Sequence, residues 1–136
     1  MTRIAVFLTL VALASLNNGC GVGMTARKYP PAQGPKGVNM RVTTAQGQLS
    51  GELIEVRDSG IVLADQKLRL VPYTDILSSE VEKTSSRYAI ANRSVPAPDA
   101  RDHLRLLSRF PYGLSPEAMQ RLLGSYGQTE LAGLTQ

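Results

Sequence analysis

Apolar and polar side chains first alternate at Val38, Met40 and Val42, with Asn39, Arg41 and Thr43 between them. A period of two predicts a strand with one buried face. Ala45-Gln46-Gly47-Gln48 reads as a turn. Leu49, Gly51 and Leu53 then keep the apolar positions odd, whereas Ile54 and Val56 move them to even numbers. That phase change predicts a bulge or sharp bend, eased by Gly51 just upstream. Arg57-Asp58-Ser59-Gly60 is a second turn, Ile61 to Ala64 a short apolar run, and Asp65-Gln66 a tight turn. Lys67 to Val71 alternates again, and Ile76 to Val81 reads as a closing strand after Pro72-Tyr73-Thr74-Asp75.

Helical spacing replaces alternation beyond Pro98. Asp99 offers an N-cap, and His103, Leu106, Leu107 and Phe110 follow the i, i+3, i+4, i+7 rhythm of one helix face, with Leu104 beside it. Pro111 and Gly113 end that helix. Ser115-Pro116-Glu117 starts a second, with Ser as N-cap, Pro in the first turn and Glu facing the positive helix end. Its stripe is Met119, Leu122, Leu123 and Tyr126. Each helix is too short to persist alone in water, so each stripe must bury against something.

Upstream of the strands the pattern is of another kind. Met1-Thr2-Arg3 is a short positive start, and Ile4 to Leu16 follows without a charge. Thirteen residues fall short of the roughly 20 a membrane-spanning helix needs, so the run reads as a secretory signal. Leu16-Asn17-Asn18-Gly19-Cys20 resembles the lipobox of bacterial lipoproteins, which implies acylation of Cys20, with palmitate-type chains holding the protein to the bilayer. Ala12-Leu13-Ala14 offers an alternative cleavage site for ordinary export. Gly21 after the cysteine leans toward the outer membrane by resemblance to sorting rules. Gly21 to Gly37 is so dense in Gly and Pro that it describes an extended tether.

These readings divide the chain into a signal peptide (1–19), a Pro/Gly-rich tether (20–37), a small β-barrel (38–83), a linker (84–98), a helical hairpin (99–127) and a flexible tail (128–136). The expected fold class is α+β, a five-stranded antiparallel barrel followed by a short two-helix segment. Five short strands, one strongly bent, are the ingredients of a barrel whose closure removes exposed edges.

Composition narrows the chemistry. Of 136 residues, 43% are apolar but only 5% are aromatic, and Trp is absent. The core is therefore aliphatic, which suits a compact binding or structural unit better than a deep aromatic ligand pocket. A single cysteine excludes an internal disulfide. The net charge of +4 is uneven, since no acidic residue lies between Cys20 and Gly51 while Arg27, Lys28, Lys36 and Arg41 do. A solvated basic tether is the plainer account of that run, and contact with an anionic membrane surface the other.

Val38 to Val81 resembles the Sm-like and SH3-like small barrels. The resemblance is carried by Gly47, Gly51-Glu52-Leu53-Ile54-Glu55-Val56, the turn at Asp58-Ser59-Gly60, Ile61-Val62-Leu63, and Val71-Pro72-Tyr73-Thr74-Asp75-Ile76 as the short 3₁₀ turn before the last strand. It covers about a third of the chain and implies a homo-oligomer formed by strand pairing. Sm-like RNA binders carry an Asp and an Asn in the loop joining strands two and three. Here the Asn is missing and Asp58 falls one residue late, so the family's RNA-contacting residues do not transfer.

No catalytic set emerges. Asp99, His103 and Ser108 could be drawn as a triad, but without a nucleophile elbow a helix-surface histidine is the better account. Glu52, Glu55 and Asp58 could be drawn as paired carboxylates, but alternation turns Glu52 outward, toward a solvated face. One histidine and one cysteine committed to a lipid give no metal site, and no cofactor is called for. Phe110, Tyr112 and Tyr126 are the candidate partner-binding anchors, with core packing as the alternative. The sequence therefore predicts a non-enzymatic envelope lipoprotein acting as a binding or scaffold module for an envelope protein. A nucleic-acid-binding Sm-like protein with a mispredicted leader is the rival, supported by the basic charge and the barrel resemblance.

Overall fold

The computed structural model describes residues 36–84 and 88–134. The signal peptide, the lipobox with Cys20 and nearly all of the tether lie outside the described residues. The described chain is α+β. Five strands, β1 (Asn39–Thr44), β2 (Gly47–Val56), β3 (Gly60–Ala64), β4 (Leu68–Pro72) and β5 (Ile76–Val81), precede two helices, α1 (Pro98–Leu107) and α2 (Pro116–Ser125). The strands form one antiparallel sheet in the order β4-β3-β2-β1-β5. A 3₁₀ turn at Tyr73–Asp75 links β4 to β5, at the place the small-barrel resemblance implies.

The phase change in β2 is a bulge. Leu53 pairs with Leu63 and Glu55 with Val62, so Ile54 is the extra residue between them. Its effect is to serve two cores from one strand. Leu53 and Val56 join an apolar cluster on one face with Met40, Ile61, Val71 and Leu104. Ile54 points the other way, into a second cluster with Val62, Leu68, Met119 and Leu123. Because β3 lies between the two clusters, all five of its residues are buried. Each fully buried aliphatic side chain contributes about 1.5–3 kcal/mol.

The sheet is not closed into a barrel. β4 and β5 stand at opposite ends of the strand order. The reason is that each of those edges already has a partner. Ala132 bridges β4 at Arg69, and Ala91 bridges β5 at Ser78. Closure is one way to satisfy an edge, and covering it with another segment is a second.

Three further expectations are corrected. The tail 128–136 is expected to be flexible, yet its described part, 128–134, lies along β4, where Gln128 and Ala132 bond the edge. In the described part of the linker beyond β5, Tyr88 and Ile90 are likewise seated, both buried, with the Ile90 amide donating to Ser79 Oγ at 2.6 Å. The two helices do not form a hairpin, because α1 packs into the first cluster through Leu104 and Leu107 and α2 into the second.

Helix α2 follows its sequence signals. Ser115 Oγ accepts from the Ala118 amide at 3.2 Å, and Pro116 takes the first helical position. Its end is a Schellman motif, in which the Gln128 amide donates to the Leu123 carbonyl and the Gly127 amide to the Gly124 carbonyl. Helix α1 departs from its signals. It starts at Pro98, so Asp99 sits inside the first turn rather than at the cap. Its buried residue is Leu104, whereas Leu106 is 61% exposed and Phe110 lies beyond the helix end.

Candidate functional site

The bulge in β2 frees the carbonyl groups of Leu53 and Ile54 from the β-ladder, and the chain after α1 takes them. The Arg109 amide donates to Leu53 at 2.9 Å and the Phe110 amide to Ile54 at 3.0 Å. On one side of this joint, Arg109 makes two bonds to the Glu52 carboxylate, at 2.8 and 2.6 Å. The same carboxylate accepts from the Gly37 amide at 2.6 Å. Gly37 has no room for a side chain, since a Cβ there would collide with the Leu53 carbonyl and the Arg109 amide. Gly37 is thus seated beside a packed ion pair.

On the other side, Glu55 is buried. Its carboxylate accepts from Arg57 Nε at 2.8 Å and from the Leu114 amide at 3.0 Å. The turn closes with the Gly113 amide donating to the Phe110 carbonyl at 3.0 Å, and Gly113 adopts φ +81. A side chain at Gly113 would be strained by that φ and would press on the Glu55 carboxylate. Glu52, read from alternation as turned to a solvated face, and Glu55 are therefore the two posts on which the 109–114 turn is hung. A charge buried in this way is retained only when it is paired and hydrogen-bonded.

Between these posts the turn projects Tyr112, which is 98% exposed. Beside it is an open recess of about 460 Å³, lined by Arg57, Asp58, Arg105, Pro111 and Tyr112 among others. Its charged groups are already tied together. Arg101 and Arg105 both donate to Asp58 Oδ1, at 3.2 and 3.0 Å, and Arg105 also bonds Asp102 at 2.9 Å. Beneath them Tyr73 donates its hydroxyl to the Arg57 carbonyl at 2.8 Å. Burial pushes the Tyr73 phenol above its ordinary value, against the opposing pull of Arg101 and Arg105, while Asp58 adds a small push upward.

Of the three aromatic anchors, Phe110 and Tyr126 pack against the second cluster and only Tyr112 presents its ring to solvent. The Asp99, His103 and Ser108 set does not assemble. His103 stacks on Tyr88 with ring centroids 4.4 Å apart, and its Nδ1 donates to the Asp99 backbone carbonyl at 3.2 Å. Ser108 is buried and donates its hydroxyl to the Arg105 carbonyl. Among the described residues no group of three or more His, Cys, Asp or Glu is placed to hold a metal ion, and no helix is long and apolar enough to cross a membrane.

What the sequence reading missed is the pairing of Glu52 with Arg109. The two are 57 positions apart, and no periodicity links them. The Glu55–Arg57 pair, two positions apart across the end of β2, carried a visible signal. Comparison with protein-family models, curated proteins and solved structures gives no match for this chain.

Proposed function

We propose that the protein is a non-enzymatic binding or scaffold module of the bacterial envelope, held to a membrane by acylated Cys20 and a Pro/Gly-rich tether. The observation that carries the binding half is Tyr112, an aromatic ring 98% exposed on a turn pinned at Arg109, Phe110, Gly113 and Leu114. A tyrosine on a rigid turn offers a large contact area at a low cost in conformational entropy. Arg57, Asp58 and Arg105 beside it supply a polar rim of both signs. The membrane half is supported by the uncharged run from Ile4 to Leu16 and the lipobox-like Leu16-Asn17-Asn18-Gly19-Cys20. The finer Sm-like or SH3-like kinship is supported by the bent β2 and the 3₁₀ turn before β5.

Intact-mass analysis of protein made in its native host, beside a Cys20→Ala variant, tests the anchor. The expected product starts at Cys20 and carries acyl mass that the variant lacks. A chain starting near Ser15 without lipid would make it a soluble periplasmic module. Full-length soluble protein from Met1 would overturn export and favour the nucleic-acid reading, whose mark is binding that weakens with salt. For the binding half, a photo-crosslinker at position 112 is expected to give a discrete protein adduct that the same probe at exposed Glu117 does not. Equal labelling from both positions would refute the role of the turn.

A further inference from the structure

Both edges of the sheet are closed by segments of the same chain that are not strands, and the β4 edge is closed in an economical way. The Gln128 carboxamide stands in for a peptide unit. Its Oε1 accepts from the Leu68 amide at 2.7 Å and its Nε2 donates to the Leu68 carbonyl at 3.1 Å. Four residues on, the Ala132 amide donates to the same carbonyl at 3.0 Å, and the Leu70 amide donates to the Ala132 carbonyl at 3.0 Å. The bridge is parallel and a single residue long. Leu131 packs on the second apolar cluster and Leu134 on the first, so side chains of the segment reach both faces. A strand edge flanked by apolar seats on both faces is what β-augmentation requires of a receptor.

We propose that the β4 edge is a strand-docking site latched by segment 128–134, and that its occupant in an assembled state is the same segment of a second copy. The latch is held by the Gln128 side-chain amide, the Ala132 backbone and a 3.2 Å bond from the Arg69 guanidinium to the Gly133 carbonyl, whereas the adjoining β3–β4 ladder runs from Gly60–Pro72 to Ala64–Leu68. A segment held by so few bonds opens locally before the sheet does. The sequence seated in the groove is its own, so a second copy carries a matching occupant. Reciprocal exchange would then give a closed two-fold pair. The proposal is independent of the Tyr112 surface, and either can fail without the other.

The test uses the full chain with Gln128→Ala and Ala132→Pro, which remove the clasp and the Ala132 N–H, and a fluorescent peptide of the sequence Gln128 to Leu134. The double variant is expected to take up the peptide saturably, at least about ten-fold more tightly than the unaltered chain, whose own latch competes. The same peptide carrying Ala132→Pro should lose most of that affinity. Hydrogen exchange supplies the control, with the Leu68 and Leu70 amides opening in the variant while Ile61 to Leu63 stay protected. Open edge amides with no peptide uptake would overturn the proposal. Should the variant fail to fold, the unaltered chain still decides. Its Leu68 and Leu70 amides should exchange by local opening, at least about ten-fold faster than those of β3. Exchange of all of them at one common rate would overturn the latch. Sedimentation of the unaltered chain should show a dimer that grows with concentration, and a strict monomer would overturn the choice of a second copy.

Discussion

One face of the sheet is divided between two regions built to opposite plans. Over β3, β4 and the end of β2, Ile54, Val62 and Leu68 face α2 and are fully buried. Over β5, β1 and the start of β2, the same face carries Arg41 opposite Ser50 and Glu80, and Thr43 opposite Gln48 and Ser78. This half bears a shallow recess of about 400 Å³ instead of a helix. The strands are continuous across the divide, so backbone pairing does not explain it. The difference lies in every second residue. Where those positions are aliphatic a helix is recruited, and where they are polar water suffices. Position 54 marks the seam, because the bulge there adds an apolar residue to a face that reads polar up to Glu52.

The largest expected effect breaks the covered half. Leu123 is 2% exposed at the centre of the α2 contact. Leu123→Ala is expected to cost about 2–5 kcal/mol, from lost transfer energy and the cavity left behind. Urea denaturation of variant and parent measures it. A loss no greater than that of a surface substitution would mean that α2 is not needed to cover the face.

The sequence made part of this division legible. Strict alternation from Val38 to Thr43 gave β1 its polar face, and the shift from odd to even apolar positions marked the bulge. The Ser115-Pro116-Glu117 signature and the stripe from Met119 to Tyr126 gave α2. The buried face of α1 was not legible. Helical spacing through His103, Leu106 and Phe110 fits one stripe, but the helix stops at Leu107 and turns about Leu104 instead. A ten-residue helix holds too few turns for periodicity to choose between neighbouring faces. The site was less legible still. Tyr112 was visible as a residue type, yet its exposure depends on the bonds of Glu52 to Arg109 and of Glu55 to the Leu114 amide, both far along the chain. Alternation predicted a solvated carboxylate at 52 because it reads a strand's own faces and not what crosses them.

Glu55 carries the comparison to single carboxylates, as a buried one on the covered half. Removing it strands the Leu114 amide and the Arg57 guanidinium and releases the 110–114 turn. Glu55→Ala is expected to cost about 1–3 kcal/mol, the usual penalty for an unsatisfied buried partner. Hydrogen exchange should show the Leu114 amide losing protection ahead of the amides of α2. A Leu114 amide as protected as before would mean that Glu55 does not hold the turn.

Tyr73 tests the opposite face, which both halves share. Tyr73→Phe removes one hydrogen bond to a carbonyl and is expected to cost about 0.5–1.5 kcal/mol at neutral pH. Its pH dependence has a definite sign. The folded phenol lies above its ordinary value of 10.0, chiefly through burial. The unfolded chain therefore loses this proton first. The stabilisation is full below the unfolded value and is lost as pH rises through the folded one. The parent should weaken on that alkaline limb more steeply than Tyr73→Phe. Parallel limbs would mean that the phenol ionises as easily folded as unfolded.

The smallest effect belongs to the bare half, and its smallness is the point. Arg41 and Glu80 approach at 3.4 Å with side chains 56% and 75% exposed. Water screens such a pair, and fixing two long side chains costs entropy, so exposed pairs contribute about 0–1 kcal/mol. A double-mutant cycle with Arg41→Ala and Glu80→Ala is expected to return a coupling of about 0.5 kcal/mol or less, reduced further by salt. Such a value would place the bare half on the surface plan, with its stability supplied by Met40, Val42 and Val81 on the other side of the same strands. A coupling above about 1.5 kcal/mol, the magnitude of a desolvated charged bond, would show that water does not reach this face as the exposed side chains require. The two halves would then differ only in what covers them.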